Sequence, residues 1–193
     1  PLLYTPRKGW VNDPNGLVFV NGIYHLFYQH NPYSNAPRNI SWGHATSKDL
    51  VHWKEKGVAL HYNNVTNEMI FSGSAVHDKN NTSGFGTAEN PPVIAMYTSC
   101  FGENGTLPGG TEVLKGTQVQ SLAYSIDEGE TWHFYEKNPV IRSPPERYAD
   151  HWENFRDPKV FWYAPGNKWV SITVLSLLKI ALLWTSENLK DWT

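Results

Sequence analysis

Short apolar runs alternate with polar turn clusters along the whole chain, and none of them keeps a 3.6-residue period long enough to make a convincing amphipathic helix. Leu17-Val18-Phe19-Val20, the pair Asn21-Gly22, and Ile23-Tyr24-His25-Leu26-Phe27-Tyr28 together read as a β-hairpin. Further strand-like runs follow at residues 70–76, 93–97, 160–163 and 169–174. The stretch 169–184 is apolar, but it is shorter than the ~20 residues of a membrane span and Lys179 interrupts it, so it reads as two adjacent buried strands. Residues 80–86, 90–92, 101–116 and 143–146 read as surface loops.

One pattern recurs. Trp42-Gly43-His44-Ala45-Thr46-Ser47-Lys48-Asp49-Leu50-Val51-His52-Trp53 runs from an apolar strand through a Ser and an acidic turn to a Trp; residues 122–132 and 182–192 echo it. Repetition at intervals of tens of residues marks propellers, solenoids or arrays. Short, evenly spaced strands with one aromatic motif per unit predict an all-β fold, a β-propeller. A single four-stranded blade cannot bury both faces, so blades must stack around a ring. Three repeats are too few for a ring of roughly four to eight blades. The expectation is that residues 1–193 form the N-terminal portion of a single larger propeller domain. Within it, Trp42, Trp53, Trp132 and Trp192 are expected in blade cores, and His44 and His52 packed within a blade.

Composition narrows the chemistry. The chain carries nine Trp and ten Tyr at a net charge of −2, with no Lys/Arg-rich run. Aromatic rings suit ligands with apolar faces, sugars above all, as well as cores. The lack of a basic stripe argues against a nucleic-acid partner. A single cysteine, Cys100, excludes an internal disulfide framework and reads as a small buried apolar residue. The eight His are scattered without zinc-site spacing, and no Gly-rich phosphate loop occurs, so neither metal nor cofactor is expected. Asn-x-Ser/Thr sequons at Asn39, Asn64, Asn80, Asn81 and Asn104 favour a secreted, extracellular glycoprotein, with no membrane partner.

Two carboxylates share a layout. Asp13 lies in Asn12-Asp13-Pro14-Asn15-Gly16, a cluster of turn formers placed where a loop enters the first strand. Asp157 lies in Arg156-Asp157-Pro158 at the mouth of a later apolar strand. Either motif alone reads most simply as a turn cap. As a pair in a Trp-rich repeat protein they read as two carboxylates at equivalent blade entries, converging on one central funnel. Glycoside hydrolysis uses such a pair, about 5–5.5 Å apart in retaining enzymes. An Arg beside the second Asp would hold its charge and bond sugar hydroxyls.

These residues carry a family resemblance. Residues 10–16, Gln29-His30-Asn31-Pro32, 42–53, Phe71-Ser72-Gly73-Ser74, 154–158 and 186–192 resemble, in order and over nearly the whole chain, glycoside hydrolase family 32, with its secreted fungal invertases and exo-inulinases as the matching group. The resemblance implies a five-bladed propeller and a retaining glycosidase that releases terminal fructose from β-D-fructofuranosides, with sucrose or an inulin- or levan-type fructan as substrate. Whether water or another sugar accepts the fructosyl group stays open, as does the oligomeric state. It also implies that Asp13 is the nucleophile and Asp157 the transition-state stabiliser, with Asn12, Gln29, Phe71, Ser72 and Arg156 lining the fructose subsite.

Three departures accompany the match. The family's acid/base Glu stands in a Glu-Cys-Pro motif expected beyond Thr193, and neither Glu153 nor Glu187 stands in such a motif. The chain by itself is therefore expected to be inactive on sucrose. A Trp that walls the fructose site in fungal relatives is replaced near Pro37. Leu177-Leu178-Lys179 looks altered and lengthened. Two alternatives stay open: a non-catalytic sugar-binding propeller, and a related propeller glycosidase acting on arabinan or xylan.

Overall fold

The structure, a computed structural model, describes residues 4–107, 110 and 112–193. Thirteen strands follow in order: β1 (Trp10–Val20), β2 (Ile23–Asn31), β3 (Ser41–Ser47), β4 (Trp53–Leu60), β5 (Glu68–His77), β6 (Val93–Phe101), β7 (Gly105–Thr106), β8 (Glu112–Val113), β9 (Gln118–Ser125), β10 (His133–Phe134), β11 (Phe155–Tyr163), β12 (Lys168–Leu175) and β13 (Ile180–Ser186). They form antiparallel sheets in the orders β1-β2-β3-β4, β5-β6-β9-β10 and β11-β12-β13, plus the small pair β7-β8. These are three consecutive blades of a β-propeller, and β1, β5 and β11 are their inner strands.

The Asn21-Gly22 hairpin forms as expected. Both residues have positive φ, 46° and 85°, the twist a two-residue turn needs to match right-twisted strands. The sequence repeat is a structural repeat as well. In each blade a Ser hydroxyl at the end of the third strand accepts a backbone N–H of the turn: Ser47 from Leu50 at 2.9 Å, Ser125 from Gly129 at 2.8 Å, Ser186 from Asn188 at 3.1 Å. The closing Trp indole donates to a carbonyl three residues back: Trp53 to Leu50, Trp132 to Gly129, Trp192 to Leu189, at 3.1, 3.1 and 2.7 Å. Ser and Asx oxygens fold the turn back on itself, which is why these residue types recur there.

Two cores lie between blades. Phe27, Trp42 and Leu60 pack against Ile70, Ala75, Ala95, Tyr97 and Ala123 between the first and second. Ile94, Met96 and Leu122 pack against Phe155, Val160, Trp169, Leu175, Leu182 and Leu189 between the second and third. The loop after β5 locks the second seam. Asp78 accepts from Thr82 and Ser83, the Trp169 indole donates to Thr82 Oγ1, and Lys190 lies over the Phe85 ring. Cys100 is buried, and burial pushes its thiol up to about 11.

Several expectations are corrected. Residues 12–16 are not a turn ahead of the first strand; they lie inside β1, irregularly paired. His52 is exposed and bonds Asp49 at 2.8 Å rather than packing within a blade, and Trp53 is half-buried at a turn rather than in a core. The loop 101–116 contains the β7-β8 hairpin; its Pro108, Gly109 and Thr111 lie outside the described residues. Residues 146–154, which follow the loop read at 143–146, form kinked 3-10 turns. Of the strands built from 169–184, β12 is mostly buried, but β13 alternates, with Leu182 inward and Leu183 exposed. No helix among the described residues is long and apolar enough to cross a membrane.

At the seam between the first two blades, His25 and His44 are both buried and stack, with Nδ1 of one 3.1 Å from Nε2 of the other. Around them stand Lys56, which pairs with Glu130 at 2.6 Å, and Glu128, which accepts from Asn21. Burial lowers the pKa of both rings, that of His44 to about 3, where His25 and Lys56 add repulsion. Both folded values lie below the ordinary 6.5. The unfolded chain therefore binds more protons once pH falls below that value. The stability contributed by the neutral pair is present above about pH 6.5 and drains away as pH falls. The melting temperature should accordingly drop from pH 7 to pH 4, and H44Q should flatten the stability–pH slope by up to ~1.4 kcal/mol per pH unit, one proton's worth. Equal slopes in the two proteins would remove His44 as the cause.

Candidate active site

Each inner strand breaks its pairing near its start, and β1 does so again between Asn15 and Val18. β1 loses register against β2 between Val11 and Pro14, β5 against β6 between Ile70 and Gly73, and β11 against β12 between Arg156 and Lys159. The unpaired residues are Asn12-Asp13, Phe71-Ser72 and Asp157-Pro158. A bulge of this kind re-aims side chains and frees backbone groups. Three equivalent bulges therefore stand on three neighbouring inner strands. Pro158 is tolerated after Asp157 because the bulge asks for no ladder N–H there.

Asp13 is exposed in its bulge, and its Oδ2 accepts a hydrogen bond from Ser72 Oγ at 2.6 Å, across the first two blades. The neighbouring Gly73 cannot be replaced, since a Cβ there would lie 2.0 Å from Met96 O. Asp157 is held in the left-handed region, φ 62°, where a non-Gly residue is strained. Its carboxylate opens to solvent on one side, but the surrounding protein raises its pKa. Arg156 opposes that shift and the charge of Asp13 adds to it. The two acids expected to converge thus do sense each other.

The other expected residues divide. Phe71 and Ser72 line the second bulge and are partly accessible, and Asn12 is exposed beside Asp13. Gln29 is buried, and its Nε2 donates to Ile70 O at 2.9 Å, the last paired carbonyl before the β5 bulge. The Trp42 indole donates to Phe71 O at 2.9 Å, holding the same bulge from the other side. Arg156 forms no ion pair with Asp157. Its Nη2 donates instead to Asn154 Oδ1 at 2.9 Å and to Glu153 O at 3.4 Å, and its buried Nε has no partner. The Arg-Asp motif is therefore the edge of a bulge, with Arg156 still paired to Val174, and not a local salt bridge.

Sequence reasoning missed Asn15, Ser74 and Thr98. Asn15 is buried beside the Asp13 bulge and its Oδ1 receives Gly73 N–H at 3.4 Å. Ser74 Oγ donates to Pro158 O and accepts from Val160 N–H, both at 2.9 Å. Thr98 Oγ1 accepts Asp157 N–H at 3.0 Å. The available signal was a polar residue in an otherwise apolar buried strand, as Thr98-Ser99 stand in Val93–Phe101. Pro37 lies exposed in a loop organised by Asn31, whose amide donates to Ser34 Oγ and Ala36 O. Glu153 is exposed on the 3-10 turns and Glu187 borders the last turn, and neither hydrogen-bonds to Asp13 or Asp157. Among the described residues no three His, Cys, Asp or Glu side chains converge as a metal-binding group.

The sequence matches the family model described as Glycosyl hydrolases family 32 N-terminal domain over residues 4–193. The chain belongs to glycoside hydrolase family 32. It is 52% identical over 193 residues to the extracellular exo-inulinase inuE of Aspergillus niger, covering 98% of this chain and 36% of that protein. It is 48% identical over 190 residues to the levanase of Bacillus subtilis, covering 98% of this chain and 25% of that protein. The crystal structure of the exo-inulinase from Aspergillus awamori superposes with a TM-score of 0.95 at 52% identity, covering 98% of this chain and 38% of that one. The chain thus spans about a third of the length of these relatives.

The bulge geometry makes a local prediction. Q29L would leave Ile70 O buried and unpaired, which costs about 1–3 kcal/mol. Urea denaturation should show that loss. An unchanged unfolding free energy would mean that Gln29 does not hold the β5 bulge.

Proposed function

We propose that this chain is the N-terminal portion of a single five-bladed propeller catalytic domain that releases terminal fructose from β-D-fructofuranosides, sucrose or inulin- or levan-type fructans, with retention of configuration. The observation that carries the reading is the placing of Asp13 and Asp157 on equivalent inner-strand bulges, with Ser72 donating to Asp13 across the blade seam and the Asp13 charge adding to the raised pKa of Asp157. The relatives named exo-inulinase and levanase supply the sugar class.

Fructose is a ketose, so positive charge develops at its anomeric carbon as the glycosidic bond breaks. Asp13 attacks that carbon to give a covalent fructosyl ester, which water then opens. Ser72 holds the attacking carboxylate by one oxygen, leaving Oδ1 toward the substrate. Asp157 bonds fructose hydroxyls and stabilises the cationic transition state without itself transferring a proton. Fixed anions are worth most where charge develops in a water-poor site. Asn12, Phe71, Gln29 and Arg156 complete the fructose subsite. The proton for the leaving oxygen comes from a Glu outside residues 1–193.

In a protein that carries this chain within a whole catalytic domain, D13N should lower fructose release from sucrose by at least about a thousandfold. D157N should slow turnover strongly while the melting temperature stays near that of the parent. Near-normal turnover by D13N would remove it as nucleophile, and release of arabinose rather than fructose would move the reading to another sugar.

The protein is a secreted glycoprotein in this reading, in keeping with the extracellular exo-inulinases it resembles. The sequons are not equivalent. Asn39, Asn64, Asn80 and Asn104 are exposed, whereas the Asn81 amide bonds both Gly86 O and Gly86 N–H, at 2.8 and 2.9 Å. Mapping by enzymatic deglycosylation in heavy-oxygen water should label Asn80 rather than Asn81 in the overlapping pair. Label at Asn81 would mean that this loop folds otherwise in the glycosylated protein.

A further inference from the structure

Asp157 is a branched-backbone oddity: a non-Gly residue at φ 62°, in a bulge that takes its N–H out of the sheet ladder. A carboxylate on such a backbone would relax to extended geometry and aim elsewhere unless something fixed the peptide. The structure supplies one acceptor for that N–H, Thr98 Oγ1 at 3.0 Å, from the middle strand of the neighbouring blade. Thr98 is fully buried. Its own hydroxyl proton is directed the other way, to Gln120 Oε1 at 2.8 Å. Gln120, also fully buried, donates from Nε2 to Phe155 O at 2.9 Å, on the near side of the same bulge. The Gln120 backbone is pinned in turn by Ile141, whose carbonyl accepts its N–H at 2.9 Å.

Every member of this chain has its donor and acceptor roles fixed. The amide of Gln120 is oriented by Phe155 O, so Oε1 faces Thr98. Thr98 must therefore donate to Gln120, which leaves its lone pair for Asp157 N–H. On the far side of the bulge Ser74 grips Pro158 O and Val160 N–H. The bulge is thus held at residues 155, 157, 158 and 160, all from the second blade. Only the Thr98 contact bears on the peptide of the acid itself.

We propose that Thr98 is a positioning residue for the fructose-release reaction, acting through the Asp157 peptide N–H and oriented by Gln120. The proposal rests on the function proposed above for Asp157. Because Asp157 counts most in the transition state, misaiming it should lower kcat and kcat/KM together and leave KM nearly unmoved.

The test uses T98V, which keeps the volume and removes the oxygen, alongside T98S, which keeps the oxygen, in the whole catalytic domain. The expected result is a kcat about tenfold lower in T98V, equal to ~1.4 kcal/mol of transition-state stabilisation, with KM within about twofold and most of the rate restored in T98S. A loss of melting temperature in T98V with unchanged kcat per folded molecule would overturn the proposal, since a merely structural hydroxyl predicts that outcome. If T98V does not fold, T98C takes its place: its weaker acceptor should give an intermediate kcat, and a parental kcat overturns the proposal. A crystal structure of the variant separates this inference from the functional reading. Should the parent domain release no fructose from any fructoside, that reading falls. The positioning role then stands if Asp157 leaves the left-handed region in the variant and falls if it keeps that conformation.

Discussion

The site depends on an exchange of hydrogen bonds between blades. A β-sheet satisfies its backbone by laddering, and a bulge breaks the ladder. Each inner strand accepts that break where a functional side chain must turn into the funnel, and another blade's side chain, or another strand of its own sheet, repairs it. Asn15 receives Gly73 N–H, Gln29 and Trp42 cap the carbonyls of Ile70 and Phe71, and Ser74 and Thr98 satisfy Pro158, Val160 and Asp157. The side chains that repair one blade come mostly from the blade before it. The geometry of these bulges is therefore a property of blade seams.

This explains why the seams are so heavily furnished. The first holds a solid aromatic core with Trp42 and Phe27 wholly buried, and the second holds Phe155 and Leu122 in the same state. Dense packing resists small shifts, so a hydrogen bond reaching across a seam keeps its length. The loop 78–90 extends the same principle to the rim, where Asp78 and Thr82 tie the second blade to Trp169 of the third.

Much of this was legible in the sequence. The Asn21-Gly22 hairpin, the Ser-to-Trp repeat and the inner strands followed from local rules that the structure obeys. The shared layout of the Asp13 and Asp157 motifs is matched by the register breaks that hold both. What misled was the chemistry of bulges: Asn, Asp, Pro and Gly favour turns and irregular strands for the same reasons, and the one-dimensional pattern at residues 12–16 does not distinguish them. Arg156 makes no ion pair with its neighbour Asp157 for a related cause. Adjacent residues on a strand point to opposite faces, so neighbours in sequence are poor candidates for an ion pair, and Asn154, two residues away, receives the guanidinium instead. The supports Ser74, Thr98 and Gln120 were invisible because they act across blades, and long-range partners have no local signature.

The two acids also show why the funnel resists a symmetrical reading. Like charges in a shared opening repel, and the cost falls on whichever carboxylate is less well solvated or bonded. Asp13 has a hydroxyl donor at 2.6 Å, while the guanidinium beside Asp157 is turned toward Asn154 and Glu153. Asp157 carries a raised pKa chiefly because burial strips water from its carboxylate; the Asp13 charge adds to the rise and Arg156 opposes it. A cation forming between the two would relieve their repulsion and gain attraction from both at once. Such a site gains most from a transition state that is more positive than the ground state. An oxocarbenium-like sugar meets that description, and an anionic or neutral transition state does not. The charges of the two bulges thus fit the cationic transition state of the function proposed above.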